Sequence, residues 1–222
     1  MSSILVTGAN RGIGLEIARQ LRQRGETVIA VCRQASAELK ALDLRCIEGL
    51  DLAQDNAVAA LKAALEGVQL DAVINNAGLL ESTPFDASGF DYAACRRQFE
   101  VNTLGPLRVV EACRSSLQPG SKVLMVTSRM GSIADNTSGG AYGYRMSKAA
   151  LNMASISLAH DLKSAGIAVG LVHPGYVRTG MTGFSGHIEP AESASGIISR
   201  LDQLNAETSG SFWHVNGEAL PW

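Results

Sequence analysis

The stretch "SILVTGANRGIGLEIARQL", residues 3–21, decides the fold class. It opens with an apolar run typical of a buried strand and continues from Gly12 with the apolar spacing of a helix. Between the two lie Gly8, Gly12 and Gly14. Glycine lets backbone N–H groups approach a phosphate closely, and the N-terminus of the following helix adds partial positive charge. This order predicts that the turn binds the pyrophosphate of a dinucleotide; the alternative is a turn that merely needs positive φ.

Apolar runs alternate with helix-patterned segments along the rest of the chain. The predicted strands cover residues 3–7, 27–32, 44–50, 71–75, 122–128, 168–173 and 211–215, and the predicted helices cover 12–24, 54–66, 91–116, 142–164 and 190–204. Continuous Val, Ile and Leu runs between helices are typical of parallel strands buried on both faces. The pattern predicts an α/β, Rossmann-type fold, with a doubly wound, mostly parallel seven-stranded sheet and helices on both faces.

Residues 1–222 are expected to form a single NAD(P)-binding domain, because no linker, low-complexity tract or internal repeat interrupts the alternation. One sizeable segment, near 176–189, has loop composition and no periodicity. Loops carry function more often than strands do, so this segment is the expected substrate loop.

Composition argues against several classes of partner and site. The formal net charge is −2, with Lys and Arg scattered, so no basic surface for nucleic acid or an anionic membrane is expected. No apolar run approaches the roughly 18 residues that span a bilayer, and the start lacks a secretory pattern, so a cytoplasmic location is expected. His160, His187 and His214 lack ligand-like spacing, and no metal is predicted. The cysteines are expected to be buried free thiols inside regular elements: Cys32, Cys46, Cys95 and Cys113.

The stretch "AYGYRMSKAAL", residues 141–151, contains two tyrosines with different surroundings. On a helix, Tyr144 and Lys148 are four residues apart and share a face, whereas Tyr142 points elsewhere. A neighbouring ammonium favours the phenolate, so Lys148 is expected to lower the pKa of Tyr144 from about 10. Such a pair can arise by chance, and its meaning depends on the rest of the chain.

Five motifs supply that context: "TGANRGIG" (7–14), "NNAG" (75–78), "VTSRMGS" (126–132), "YRMSK" (144–148) and "HPGYVRT" (173–179). In this order and spacing the chain resembles the short-chain dehydrogenase/reductase family over nearly its whole length. The text "GGAYGYRMSKAALNMAS" and the ending "GSFWHVNGEALPW" are similar to its small carbonyl-reductase-like members called sniffer and C-factor. The resemblance implies hydride transfer from a nicotinamide cofactor to a small-molecule carbonyl, such as a ketone, aldehyde or quinone. The alternative is a dinucleotide-binding signalling protein of the C-factor type, in which turnover is secondary.

The resemblance also implies a catalytic tetrad. Tyr144 would donate the proton, Ser128 would hold the substrate oxygen, and Lys148 would tune Tyr144 and bind the nicotinamide ribose. Asn102 would complete the tetrad through a water relay to the lysine. Asparagine is a poor helix former in mid-helix, which suits a local kink or a bound water there. A serine at a strand end can equally be a turn residue or a helix cap, so Ser128 depends on the family pattern "SRMG".

The choice of dinucleotide can be argued from charge. NAD enzymes usually place Asp or Glu at the end of the second strand, but no acidic residue occurs from Thr27 to Ala37. Arg33 follows that strand and Arg11 lies in the glycine turn. Two guanidiniums can clamp a 2′-phosphate, so NADP(H) is predicted over NAD(H), with two solvated surface arginines as the alternative.

By resemblance, Asp51 would meet the adenine, Asn75, Ala77 and Gly78 the adenosine ribose, and Val177 and Thr179 the nicotinamide carboxamide. The full set of expected cofactor-binding residues is Gly8, Asn10, Arg11, Gly12, Ile13, Gly14, Arg33, Asp51, Leu52, Asn75, Ala77, Gly78, Tyr144, Lys148, Pro174, Gly175, Val177 and Thr179.

The expected substrate cleft is lined by Arg129, Tyr142, Met181 and Phe184. Arg129 could block small apolar substrates, attract an acidic one, or face solvent. The glycines at 180, 183 and 186 could let the loop move or could be plain turn residues. His173, at a strand end, is expected to be a packed residue rather than an acid. By fold analogy, the helical stretches 91–116 and 142–164 would form the surface of a homodimer or homotetramer.

Overall fold

The computed structural model describes residues 2–85 and 89–222 and contains a seven-stranded sheet. The strands are β1 Ser3–Thr7, β2 Thr27–Val31, β3 Arg45–Ile47, β4 Leu70–Asn75, β5 Leu117–Val126, β6 Ala168–His173 and β7 Phe212–His214. Their order across the sheet is β3-β2-β1-β4-β5-β6-β7, and each neighbouring pair is parallel. The predicted sheet is thereby confirmed.

Seven α-helices occur in the described part of the chain: α1 Gly12–Gln23, α2 Ala37–Lys40, α3 Asn56–Ala64, α4 Tyr92–Phe99, α5 Gly105–Cys113, α6 Tyr142–Asp161 and α7 Pro190–Gln203. The predicted long helix over 91–116 consists of α4, a π-helix at Glu100–Leu104, and α5. The short helix α2 was not predicted. Ser36 caps it, since its Oγ accepts a hydrogen bond from the Leu39 N–H at 3.1 Å.

Two hydrophobic cores lie on opposite faces of the sheet. One contains side chains of α1 and α7, including Leu21 and Ile197, and the other contains side chains of α3, α5 and α6, including Leu61, Val109 and Leu151. All five side chains are almost completely buried. The strands supply both cores because successive side chains point to opposite faces, which is the doubly wound arrangement.

The strand order reverses between β1 and β4, which are neighbours in the sheet. In an open α/β sheet, loops diverge at this point and leave a crevice at the carboxyl ends of the strands. The glycine turn after β1 and the "NNAG" segment at the end of β4 both lie at this edge. The loops after β5 and β6 extend the same edge.

Several boundaries differ from the predictions. Strand β5 begins at Leu117 and ends at Val126, with a register shift against β4 between Leu70 and Ala72. Ser128 therefore lies two residues beyond the strand that was expected to end with it. Strand β3 is shorter than predicted, covering three residues.

The expectation of four buried cysteines inside regular elements was partly wrong. All four are free thiols, but Cys46 and Cys95 are only partly buried. Cys32 lies just beyond β2, where the chain turns away from the sheet. Cys113 is buried in α5, and burial raises the pKa of its thiol to about 12, so this thiol is unreactive.

No helix among the described residues is long and apolar enough to cross a membrane. Nor do residues 2–85 and 89–222 contain a cluster of three or more metal-ligating side chains.

Candidate active site

The glycine turn packs directly against the segment that follows β4. Gly8 and Gly12 have φ values of +67° and +56°, which favour glycine. A Cβ on Gly8 would lie 2.9 Å from the Cα of Ala77, and one on Gly14 would collide with the Gly8 carbonyl and the Asn76 amide. The turn needs glycine both for positive φ and for close backbone approach. Between the glycines, the half-buried Asn10 lies in the loop, and the half-buried Ile13 lies in the first turn of α1.

Thr7 and Asn76 connect the two loops, and the sequence analysis missed both. The Thr7 hydroxyl accepts hydrogen bonds from the N–H groups of Asn76 and Ala77, at 3.0 and 3.1 Å. The Asn76 amide in turn donates to the Thr7 carbonyl at 3.0 Å. The side chain of Asn75, which was expected to meet the ribose, is buried instead, with its amide nitrogen 3.3 Å from the Met125 sulfur. Alternation along β4 could have indicated that only one of the two asparagines faces the turn.

Arg11 and Arg33 are both exposed at this edge. Arg11 immediately precedes α1, and Arg33 follows β2. Within the described ranges, neither guanidinium forms an ion pair with a protein carboxylate. Both are therefore available to an anionic ligand. A carboxylate that the analysis missed, Glu48, reaches this loop from β3 and accepts a hydrogen bond from the Ala35 N–H at 2.8 Å.

Asp51 and Leu52 follow β3 on the same side of the crevice. Asp51 is exposed, and its carboxylate accepts a hydrogen bond from the Ala53 N–H at 3.1 Å. Leu52 is buried and packs near Gly105, where a Cβ would lie 3.4 Å from that of Leu52. Asp51 is thus placed to meet a ligand, whereas Leu52 supports the wall behind it.

Tyr144 and Lys148 lie together on the buried face of α6. They are 8% and 4% exposed, and the Lys148 Nζ lies 5.8 Å from the centre of the Tyr144 ring. The same Nζ donates a hydrogen bond to the Val126 carbonyl at 3.0 Å, where β5 ends. Tyr142 is 41% exposed on another side of the helix. The predicted pairing of Tyr144 with Lys148 is confirmed.

The expected lowering of the Tyr144 pKa by Lys148 is wrong for the protein's own groups. Burial raises the pKa of Tyr144 to about 12, opposed by a hydrogen bond with the Ser128 side chain. Burial also lowers the pKa of Lys148 to about 8. Both shifts arise because charged forms lose hydration inside the protein, and the lysine directs its hydrogen bond to a carbonyl rather than to the phenol. The hydrogen bond of the Ser128 side chain is the contribution that opposes this rise in the Tyr144 pKa.

Ser128 is a cap residue, which is one of the two roles that the sequence left open. It caps a 3₁₀ turn at Arg129–Gly131, and its Oγ accepts a hydrogen bond from the Met130 N–H at 3.1 Å. It is also 6% exposed, and a hydrogen bond from its side chain opposes the rise in the pKa of Tyr144. The cap fixes the serine side chain in this place.

Asn102 lies in the π-helix at Glu100–Leu104, which confirms the expected local kink. Its side chain is fully buried and bonds both backbone groups of Leu79: Oδ1 accepts from the N–H at 2.7 Å, and Nδ2 donates to the carbonyl at 2.8 Å. Nδ2 also donates to the Ser147 hydroxyl at 3.0 Å. π-Helical turns are frequent at functional sites because the extra residue redirects one side chain.

Gly78 marks the place where the separate segments meet. A Cβ at this position would lie 3.5 Å from the Asn102 Oδ1, 3.9 Å from the Lys148 Nζ and 3.9 Å from the terminal methyl of Met181. The structure thus brings together residues from the loop after β4, the π-helix, α6 and the loop after β6. Met181 reaches the site as expected, although it remains 45% exposed.

The loop after β6 forms the opposite wall. The Pro174 carbonyl accepts a hydrogen bond from the Ser193 hydroxyl at 2.7 Å, and Gly175 turns the chain with φ of +83°. Val177 is buried and pairs with Ile188. Thr179 faces the glycine turn, since a Cβ on Gly12 would lie 3.4 Å from its methyl group. The two loops therefore approach each other across the crevice.

Within the segment 176–189, the glycines differ in their roles. Gly183 has φ of +57° and ends a 3₁₀ turn, whereas Gly186 has no room for a Cβ against the Val177 backbone. Tyr176 closes the loop by a 2.5 Å hydrogen bond between its hydroxyl and that of Ser185. Phe184, the other apolar residue that was expected near the substrate, is 72% exposed to solvent. The loop is bound to itself, and among its apolar side chains Met181 is the one that reaches Gly78.

The two remaining residues expected in the substrate cleft, Arg129 and Tyr142, contact other side chains of the protein. Arg129 forms ion pairs with Asp135 at 3.3 Å and Glu218 at 3.5 Å, so its charge is balanced internally. Tyr142 packs its ring against those of Phe85 and Phe90, with centres 5.8 and 5.5 Å apart. These contacts show Tyr142 as a packing residue, which is one of its two expected roles.

His173 is a buried, neutral side chain. Burial, with smaller contributions from His214 and Arg129, lowers its pKa to about 3, so the imidazole is neutral. Its Nδ1 is buried without a hydrogen-bond partner among the described residues. The expectation of a packed histidine is supported.

Residues 2–189 match the family model described as short chain dehydrogenase. The chain belongs to the short-chain dehydrogenase/reductase family. A dehydrogenase of this group from Rhodococcus sp. strain AD45, named for 1-hydroxy-2-glutathionyl-2-methyl-3-butene, is 47% identical over 228 residues and covers 100% of both chains. The C-signal protein of Myxococcus xanthus is 47% identical over 156 residues, which cover 69% of this chain and 93% of that protein.

The solved structures that resemble this chain include carbonyl reductases. Sniffer of D. melanogaster superimposes with a TM-score of 0.91 at 30% identity, covering 100% of both chains. An NADPH-bound carbonyl reductase from chicken fatty liver gives a TM-score of 0.86 at 28% identity, covering 100% of this chain and 99% of that one. A short-chain dehydrogenase/reductase from Burkholderia multivorans with bound NADP gives 0.91 at 29% identity, with the same coverage. The resemblance inferred from the five sequence motifs is confirmed, and the chain is an oxidoreductase of this family.

Proposed function

We propose that this short-chain dehydrogenase/reductase is an NADPH-dependent carbonyl reductase in which Tyr144 donates the proton. One observation carries the proposal: Tyr144 is buried beside Ser128 and shares a helix face with Lys148. This group lies at the edge of the sheet where the glycine turn also lies. A proton donor, a hydroxyl and a cation beside a dinucleotide site are the parts that carbonyl reduction requires.

The side chains divide the chemistry among them. When bound, the reduced nicotinamide supplies the hydride that adds to the carbonyl carbon. The Ser128 hydroxyl donates a hydrogen bond to the substrate oxygen, on which negative charge develops, and Tyr144 gives that oxygen its proton. A pKa of about 12 keeps Tyr144 protonated at neutral pH, which suits a donor. Lys148, with a pKa of about 8, is still a cation there and stabilises the phenolate that Tyr144 becomes.

The residues at the crevice fit a dinucleotide with a 2′-phosphate. Glycines pack the turn so closely that side chains are excluded at Gly8 and Gly14. Arg11 and Arg33 are exposed at the adjoining loops. Two guanidiniums without carboxylate partners in the described ranges can bind a phosphate dianion through charge-assisted hydrogen bonds. The NADP-containing structures among the neighbours give further support.

Two relatives suggest other functions. The Rhodococcus dehydrogenase suggests oxidation of a glutathionyl alcohol, and the C-signal protein suggests signalling with secondary turnover. The joint burial of Asn102, Tyr144 and Lys148 favours an enzyme, because binding alone would not need a buried phenol and ammonium side by side. The internally paired Arg129 offers no free cation to an acidic substrate. We therefore place a neutral carbonyl compound first.

The test is NADPH oxidation in the presence of a panel of ketones, aldehydes and quinones, with Tyr144→Phe as the matched variant. We expect Tyr144→Phe to lower kcat by about 10²–10⁴-fold, the usual contribution of a general acid, while NADPH binding stays nearly unchanged. Full turnover by Tyr144→Phe would remove the assignment of the donor. Tight NADPH binding with no turnover on any carbonyl would support the C-signal-like function, and turnover confined to the glutathionyl alcohol would support the Rhodococcus-like one.

We also propose that the protein forms a homodimer or homotetramer. Support comes from large apolar side chains that are exposed on the outer faces of α4 and α6: Tyr92, Phe99, Met146 and Met153. Isolated exposed apolar residues are normal, but a set on two adjacent helices suggests a contact surface. Light scattering of the purified protein would measure the state, and a monomer would contradict the proposal.

A further inference from the structure

Asn152 is a buried amide that the proposed mechanism does not use. It lies on α6, four residues and about one turn beyond Lys148, and is 4% exposed. Asparagine is a weak helix former, and a buried amide destabilises the protein unless its polar atoms find partners. Its partners therefore show what the residue does.

Both partners of Asn152 belong to the loop that carries Ser128. Its Oδ1 accepts a hydrogen bond from the Thr127 hydroxyl at 2.6 Å, and its Nδ2 donates a longer one, 3.4 Å, to the Gly131 carbonyl. Thr127 precedes Ser128 directly, and Gly131 ends the 3₁₀ turn that Ser128 caps. One amide thus holds both sides of the catalytic serine.

The same loop packs tightly against the backbone of α6. A Cβ on Gly131 would lie 2.8 Å from the carbonyl carbon of Lys148 and 2.9 Å from its oxygen. The Gly131 N–H also donates to the Ser128 carbonyl at 2.8 Å, which closes the turn. Close packing sets the minimum distance between loop and helix, and the Asn152 bonds prevent the loop from moving away.

We propose that Asn152 is a positioning residue that holds Ser128 in place opposite α6, the helix that carries Tyr144, by fixing Thr127 and Gly131 to that helix. The inference rests on the proposed function, because it assigns Asn152 a role only through Ser128. Ser128 lies on the loop after β5 and Tyr144 lies on α6, so the distance between their side chains depends on how those two elements are held together. A shift of about 1 Å in a catalytic group can lower a rate by about 10²-fold.

The experiment compares Asn152→Ala with Ser155→Ala in single and double variants with Ser128→Ala. Ser155 is the matched control, because it is a fully buried polar residue on the same helix whose hydroxyl bonds only to the Leu151 carbonyl among the described residues. We expect Asn152→Ala to lower kcat about 10- to 100-fold with little change in NADPH affinity, and Ser155→Ala to leave kcat nearly unchanged.

The double variant separates positioning from general loss of structure. If Asn152 acts through Ser128, then Asn152→Ala should lower kcat no further in a Ser128→Ala background. Equal losses in both backgrounds, or an equal loss in Ser155→Ala, would overturn the proposal. Unaltered turnover by Ser128→Ala would instead contradict the proposed function, so the two failures are distinguishable.

A second pair of variants covers the case in which Asn152→Ala does not fold. Thr127→Ser keeps the hydroxyl that Asn152 accepts from, whereas Thr127→Val removes it at nearly constant volume. We expect Thr127→Ser to keep turnover and Thr127→Val to lose it in the same proportion as Asn152→Ala. Equal activity of these two variants would also refute the inference.

Discussion

At the scale of single residues, Lys148 combines function with a cost in stability. The residue is 4% exposed, and among the described residues its ammonium has one hydrogen bond, to the Val126 carbonyl. Burial lowers its pKa from 10.5 to about 8, so the folded state binds the lysine proton less tightly than the unfolded state does. The folded protein is destabilised wherever the group is charged, which is fully the case below about pH 8. The penalty disappears as the pH rises from about 8 to the unfolded pKa of about 10.4.

Replacing this lysine by methionine should stabilise the protein and abolish turnover. A neutral side chain of similar length removes the buried charge, and we expect Lys148→Met to raise the free energy of unfolding by about 1–3 kcal/mol near pH 7. For a chain of this size, that corresponds to a Tm increase of about 2–4 °C per kcal/mol. Thermal unfolding of the unaltered protein and of Lys148→Met at about pH 7 and about pH 10 measures this gain in stability. A gain of the same size at both values would show that the charge of Lys148 is not its cause.

The sequence predicted the residues whose chemistry is visible in a short pattern. Tyr144 and Lys148 were paired correctly because their spacing equals one helical turn, and that spacing needs no tertiary information. Thr7, Asn76 and Asn152 were missed, since their partners lie far away along the chain or across elements. The direction of the Tyr144 pKa was also wrong, because it depends on burial, which one spacing cannot reveal.

At the scale of elements, the π-helix between α4 and α5 shows what the sequence could and could not predict about this stretch. The sequence indicated a kink at Asn102 from its low helix propensity, and the structure has a π-helix there. The form of the kink was not predictable, because one extra residue per turn hardly alters the apolar spacing over the stretch 91–116. Strand ends were similarly uncertain, since hydrogen bonding to neighbours, not composition, ended β5 at Val126.

The loop over 176–189 offers a test at this scale. Gly186 has no room for a side chain against the Val177 backbone, whereas Gly180 has open space around it and no strained φ. We expect Gly186→Ala to displace the loop and with it Met181, which raises KM several-fold and lowers Tm. Gly180→Ala, the control, should change neither quantity.

Steady-state kinetics and thermal unfolding of both variants make the comparison. Because Gly186 is a packing glycine rather than a hinge, its variant should show a structural defect even without substrate. Equal behaviour of the two alanine variants would show that the loop adapts easily.

At the scale of the whole molecule, ligand binding should stabilise the entire fold and report the cofactor preference. A ligand at about 100 times its Kd adds about 2.7 kcal/mol to the free energy of unfolding. For a single cooperative domain of this size we expect NADPH to raise Tm by about 5–10 °C, and NADH by clearly less at equal concentration.

Arginine variants test whether the larger Tm increase with NADPH arises from binding of the 2′-phosphate. Arg33→Ala should weaken NADPH binding by about 10- to 100-fold, the equivalent of about 1.5–3 kcal/mol for charge-assisted hydrogen bonds, and leave NADH binding nearly unchanged. Arg22→Ala, which removes an exposed arginine in the last turn of α1, is the control. An equal Tm shift by NADPH and NADH in the unaltered protein would contradict the predicted preference.

The separation along the chain between the two arginines and the tetrad has a practical consequence. Arg11 and Arg33 precede residue 50, on the loops after β1 and β2, while the four proposed catalytic residues lie between 102 and 148. We therefore expect a chimera that takes its first three strands from another family member to fold if Thr7 keeps its bonds to the loop after β4 and α1 keeps its packing against α7. Such chimeras would inherit their electron carrier from one parent and their substrate range from the other.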